Sequence, residues 1–133
     1  MSTIAMVLAL LLLGSLMLSG LQQQLDSRFG RAANESAAIR AFNAAISALA
    51  LSQSRDWAFT PQWQCQLLPE VKGRACVRQM QTYVLVAAEG VEENAAPLTL
   101  WRWAQPDGER LRFMPHGWSD FCPLPEAKQC KLP

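Results

Sequence analysis

No charged residue occurs between Met1 and Leu25; the first is Asp26. Ile4 to Leu18 is almost entirely Leu, Val, Met, Ala and Ile. As a helix rising ~1.5 Å per residue, an uncharged stretch of about 20–25 residues spans a ~30 Å hydrocarbon core. Inside a bilayer the backbone must satisfy its own hydrogen bonds, so the segment is expected to be helical. Gly14, Ser15, Ser19 and Gly20 are small enough for close helix packing or for local weakening of the helix.

Three ordinary origins of such a segment each lack something. A cleaved secretory signal has basic residues ahead of the apolar run, and none stands here. A lipoprotein needs a cysteine just after the run. A plain transmembrane anchor normally carries a basic cytoplasmic flank. The expectation is therefore a chain whose short basic leader has been removed ahead of Met1.

The remainder is different material. Its 12 Lys and Arg against 11 Asp and Glu give a formal net charge of +1. The densest basic stretch, Lys72, Arg74 and Arg78, is interrupted by apolar residues. Phosphate backbones require concentrated positive charge, so nucleic acid is not expected as a partner. The four cysteines, Cys65, Cys76, Cys122 and Cys130, all lie in the second half. An even count behind an apolar N-terminal segment reads as two disulfides in an oxidising compartment. Zinc is the competing reading. It lacks any C-x-x-C pair, and His116 has no co-ligand pattern, so no metal and no cofactor is expected.

Three regions follow: 1–25 for the membrane half of a helix, 26–56 for its periplasmic half, and 57–133 for a small sheet domain. None of the eight prolines precedes Pro61, and helix-favouring Ala, Gln, Arg, Glu and Leu dominate up to Ser54. Ile39, Phe42, Ile46 and Leu49 recur at three- and four-residue spacing as one apolar stripe. Six alanines between Ala37 and Ala48 keep the helix thin, which suits close packing by a sheet or by other helices. The stripe is too short for a coiled-coil stalk. One helix from residue 3 to about 54 is expected, with Gly20 and Gly30 as the points where it could be interrupted, ended by Ser52 to Asp56 and Pro61.

Beyond Pro61 short strand-like runs succeed one another: Gln64 to Leu68, Ala75 to Met80, Tyr83 to Ala88, Leu98 to Ala104 and Arg110 to Met114. Gly73, Gly90, Pro97 and Pro106-Asp107-Gly108 are read as turns between them. Pro106 to Glu109 is the strongest hairpin signal. Cys65 and Cys76 flank the Pro69 to Gly73 turn and suit a bridge beside a hairpin. Cys122 and Cys130 suit a closed loop. These two local pairings are expected out of three connectivities, each stabilising by about 2–4 kcal/mol. The fold class is thus α+β: a long N-terminal helix against a small antiparallel sheet, with a disulfide-tied C-terminal loop.

The opening Met1 to Leu8 resembles the mature N-terminus of a type IV pilin, in which a processed, methylated first residue leads the apolar helix. Most pilins carry glutamate at the fifth position, where it is thought to neutralise the terminal amine of the preceding subunit. This chain has Ala5. In that it resembles the K-type minor pseudopilins of type II secretion, which sit at a tip with no neighbour ahead. Gly117-Trp118-Ser119-Asp120-Phe121-Cys122-Pro123-Leu124, followed by Cys130 and Leu132-Pro133, is similar to the enterobacterial YgdB-type minor pilins. Arg78, Glu89-Gly90-Val91 and Leu100-Trp101-Arg102 fit the same pattern.

The resemblance implies a pilin-like fold and a single pass through the inner membrane with a periplasmic domain, later extruded into a fibre. It implies a minor pilin that primes assembly of a pilus or secretion pseudopilus and catalyses nothing. The implied partners are other minor pilins, a major pilin, the inner-membrane assembly platform and a prepilin peptidase acting ahead of Met1. The alternative is a single-pass, membrane-anchored periplasmic binding domain with no fibre role.

Other constellations weigh less. His116, Ser119 and Asp120 lie within five residues, whereas catalytic triads are assembled from separated elements. No G-x-S-x-G elbow occurs. Glu89, Glu92 and Glu93 lack the converging oxygens of a calcium loop and read as a solvated acidic segment. Trp101 and Trp103 share one strand face, and Trp118 lies in the C-terminal loop. All three are candidate partner contacts, with core packing the simpler role for the first two.

Overall fold

The computed structural model describes residues 2–91 and 98–133. One α-helix, α1 (Ser2–Ser52), is followed by five strands: β1 (Gln64–Leu68), β2 (Gly73–Met80), β3 (Tyr83–Gly90), β4 (Thr99–Asp107) and β5 (Arg110–Ser119). The expected helix and all five expected strands are present, and the fold is α+β and pilin-like. Two compact units divide the chain, Met1–Ser36 and Ala37–Pro133. In the first, the side chains of α1 are exposed throughout its described length. By length and composition α1 suffices to cross a membrane.

In the second unit the strands form an antiparallel meander in chain order. Period-two alternation divides their side chains between two faces. Val84, Val86 and Ala88 of β3 join Ala75 and Val77 of β2 and Ala104 of β4 in a core with Ala48, Leu49 and Trp57. Leu85 and Ala87 point the other way and meet Trp101, covered by Trp63, Met80, Trp103, Leu124 and Leu132. One face therefore takes the helix and the other takes the C-terminal segment.

The helix face that packs is made of alanine. Ala37, Ala41, Ala45, Ala48, Leu49 and Ser52 are buried. Of the sequence stripe only Leu49 is buried; Ile39, Phe42 and Ile46 stay exposed. At 3.6 residues per turn they lie roughly a third of a turn round from the alanine face. The reason is in the sheet. Gly73 and Gly90, expected to be turn residues, are strand residues paired with each other across β2 and β3. A Cβ on Gly90 would stand 2.6 Å from the Ala41 carbonyl oxygen and 3.0 Å from Ala44 Cβ. One on Gly73 would stand 2.9 Å from Ala48 Cβ. Helix and sheet backbones meet where the sheet has no side chain and the helix only methyl groups, and larger apolar residues are displaced to the flank.

The helix ends where Trp57 folds back, its Nε1 donating to the Ser52 carbonyl at 2.8 Å. The Trp57 backbone N–H then donates to the Glu109 carbonyl at 2.7 Å, tying the connector to the β4–β5 turn. That turn is tighter than the sequence implies. Pro106 and Asp107 belong to β4 and pair with Leu111 and Arg110, leaving Gly108 and Glu109 as the bend. Gly108 has φ +65°, the conformation that favours glycine at the first position of a two-residue hairpin turn. Pro106 is tolerated because the β3 ladder stops at Ala104, so no hydrogen bond to β3 is lost there.

Cys65 and Cys76 sit directly opposite each other on β1 and β2, with Cα atoms 4.0 Å apart, and are bridged. Cys122 and Cys130 close the C-terminal loop, with Cα atoms 5.9 Å apart. The two expected local pairings are thus the ones formed.

Candidate functional site

Ala5 lies exposed on α1. Met1 falls outside the described residues, as do Glu92 and Glu93 of the acidic segment. Glu89 is engaged: Arg74 Nε donates to its Oε2 at 2.9 Å and the Thr99 hydroxyl to its Oε1 at 3.0 Å. Among the described residues no cluster of three or more His, Cys, Asp and Glu is placed to hold a metal ion.

The three candidate tryptophans divide. Trp101 is only 5% exposed and meets Trp63 edge-on, with ring centroids 6.1 Å apart. Its surface is consumed inside the chain, which removes it as a partner contact in this fold. The strand alternation put it on the correct face, but that face is covered by the C-terminal segment. Trp103 is half-buried and, with Tyr83 and Met114, lines a small apolar hollow of about 210 Å³. Trp118 is 42% exposed, with its Nε1 donating to Asp120 Oδ1 at 3.0 Å.

Trp118 owes its position to an irregularity in β5. Arg102 pairs with Trp118 and Ala104 with Phe113, so the register slips between them. Extra residues on β5 bulge there, and His116 takes φ +58°. Bulges on edge strands re-aim side chains. Gly117 lets the bulge close, since a Cβ on it would lie 3.0 Å from the Trp103 carbonyl oxygen. Phe121, not singled out in the sequence, is 74% exposed just beyond. Its place after a bulge, outside any alternating strand, is the signal that marks it as a surface aromatic.

Ser119 and Asp120 spend their side chains locally. The Ser119 hydroxyl donates to the Phe121 carbonyl at 2.6 Å and accepts from the Phe121 N–H at 3.3 Å. Neither is bonded to His116, and the three residues serve the bend that leads into Cys122.

Among the apolar side chains left outside the core of the second unit are two sets: Ile39, Phe42 and Ile46 on α1, and Trp118 with Phe121 at the end of β5. Neither offers catalytic groups. Both offer the large apolar and aromatic side chains that dominate protein contacts.

No curated protein and no solved structure matches the chain. A family model described as "Protein of unknown function (DUF2509)" matches residues 9–130, from within the apolar part of α1 to the last cysteine. With a match that takes in nearly all of the helix, the sheet and both disulfides, the chain belongs to the DUF2509 family.

Proposed function

We propose that this protein is a minor pilin or pseudopilin that primes the assembly of a type IV pilus or a type II secretion-like pseudopilus. The observation that carries the reading is one unbroken helix. Its N-terminal part is uncharged and apolar, and its C-terminal part lies by alanines on a disulfide-tied antiparallel sheet. The apolar part anchors the chain in the inner membrane. Disulfides suit a periplasmic domain, because that compartment is oxidising. The protein catalyses nothing in this role; it lowers the nucleation cost of a fibre by presenting a preformed surface to other minor pilins and a major pilin.

Ala5 supports a place at or near the tip. A carboxylate at membrane depth costs roughly 2.5–3.5 kcal/mol unless paired, and a leading subunit has no amine ahead of it to pair with. The test is the intact mass of the membrane-extracted protein from hosts with and without prepilin peptidase. A methylated N-terminus at Met1 that depends on the peptidase is expected. An unmodified start in both hosts, or cleavage near Gly20, overturns the fibre role. Ala5→Glu is expected to incorporate poorly or in a changed order. Assembly indistinguishable from the parent would remove the tip assignment while leaving the rest.

A further inference from the structure

Two arginines lie on the same face of β2, and only one is satisfied. Arg74 stands directly across the ladder from Glu89 and bonds it at 2.9 Å. Its Nη1 donates to the Pro133 backbone oxygen at 2.6 Å. Arg78 stands across from Leu85, which offers nothing to a guanidinium. Its Nε is buried and has no acceptor. An orphaned donor on a charged group is costly, so such atoms call for an explanation. Arg102 Nε is also orphaned, but that guanidinium lies over the Phe113 ring at 4.6 Å, a cation–π contact.

Arg78 opens into a depression of about 740 Å³ beside the C-terminal loop. Lys128 and Lys131 line it as well, and among the described residues no acidic side chain does. The Pro133 backbone oxygen at its margin is the one held by Arg74. Trp63 and Leu132 form the apolar wall. The wall is fixed: Trp63 Nε1 donates to the Gln129 carbonyl at 3.1 Å, and the Cys122–Cys130 bridge closes the loop that carries Lys128 and ends beside Lys131.

We propose that this depression binds a short acidic segment of a protein partner. A carboxylate of that segment bonds Arg78 between Lys128 and Lys131, and an adjacent apolar side chain rests on Trp63 and Leu132. Charge complementarity selects the carboxylate, and a guanidinium is built for it. A bare inorganic anion would use the cations and leave the wall empty. Acyl chains need more apolar surface than one indole and one leucine. Nucleic acid needs a broader basic surface than three residues. The proposal stands apart from the fibre reading, since a peptide site can exist on an anchored domain of any role.

The test uses the full chain in zwitterionic detergent and a fluorescein-labelled eight-residue peptide alternating glutamate and leucine. A saturable rise in anisotropy is expected, with a shift of the Trp63 indole N–H resonance. Arg78→Gln is expected to weaken binding about tenfold or more, the scale of a charge-assisted bond. Lys128→Glu combined with Lys131→Glu changes exposed residues, keeps the fold, and is expected to weaken binding as much. The same peptide with lysine for glutamate is expected not to bind. Three results overturn the proposal: no saturation, unchanged affinity in Arg78→Gln, or full displacement of the peptide by inorganic phosphate or by phosphatidylglycerol at equal concentration. The last would assign the depression to a phosphate or to a lipid headgroup.

Discussion

Gly90 shows what a single missing side chain does. Its hydrogen stands where a methyl group would press on the Ala41 carbonyl. The obstacle is backbone, which cannot swing away. Gly90→Ala should therefore destabilise the second unit by about 1–3 kcal/mol, the usual scale of overpacking. In a domain of this size that lowers the midpoint by at least about 4 °C, measurable by thermal unfolding in detergent. An unchanged midpoint would mean that α1 can lift off the β2–β3 pair without cost. Arg74 and Arg78 give the same lesson in charge. They share a strand and a face, and the residue across the ladder decides that one is neutralised and the other is not.

At the scale of the element, α1 has two faces with opposite tolerances. The alanine face is closed against the sheet, and Ala45 is fully buried. Ala45→Leu adds volume where none is free and is expected to cost about 1–3 kcal/mol. Ile39→Gln, on the exposed flank, is expected to change stability by no more than about 0.5 kcal/mol. The pair of measurements separates packing from assembly. In the fibre reading Ile39→Gln should still reduce incorporation, because its apolar side chain faces a partner and not its own domain. If Ile39→Gln unfolds the domain instead, the flank is part of the core and the assignment of faces is wrong.

For the whole second unit, the two disulfides do different work. Cys65–Cys76 joins strands that are already paired by the ladder. Cys122–Cys130 tightens the loop that covers Leu85, Ala87 and Trp101. Replacing both members of the second pair by serine is expected to cost about 2–3 kcal/mol for a loop this short. It should also unmask the tryptophans, seen as a red shift and stronger quenching of fluorescence. Replacing Cys65 and Cys76 is expected to lower stability without that shift. Equal spectra for the two variants would mean that the C-terminal segment is held on the sheet without its bridge.

Much of this arrangement is local and therefore readable. A run of uncharged apolar residues up to Leu25 specifies a membrane-capable helix because hydrocarbon and hydrogen bonding leave no other form. Alternation in Leu98 to Trp103 and in Arg110 to Phe113, with Pro106 to Glu109 between them, specifies strands and a hairpin because period two is a property of the chain itself. Even the cysteine pairs follow from proximity along the chain. The face of α1 that packs does not. Apolarity favours Ile39, Phe42 and Ile46, but the paired glycines of β2 and β3 accept only a face without bulk, and that pairing exists only once the register is formed. Trp101 became core and Arg78 was left without an acid across the ladder for the same reason. Composition sets what each element can be, whereas register and close approach, which no local pattern encodes, set what each side chain meets.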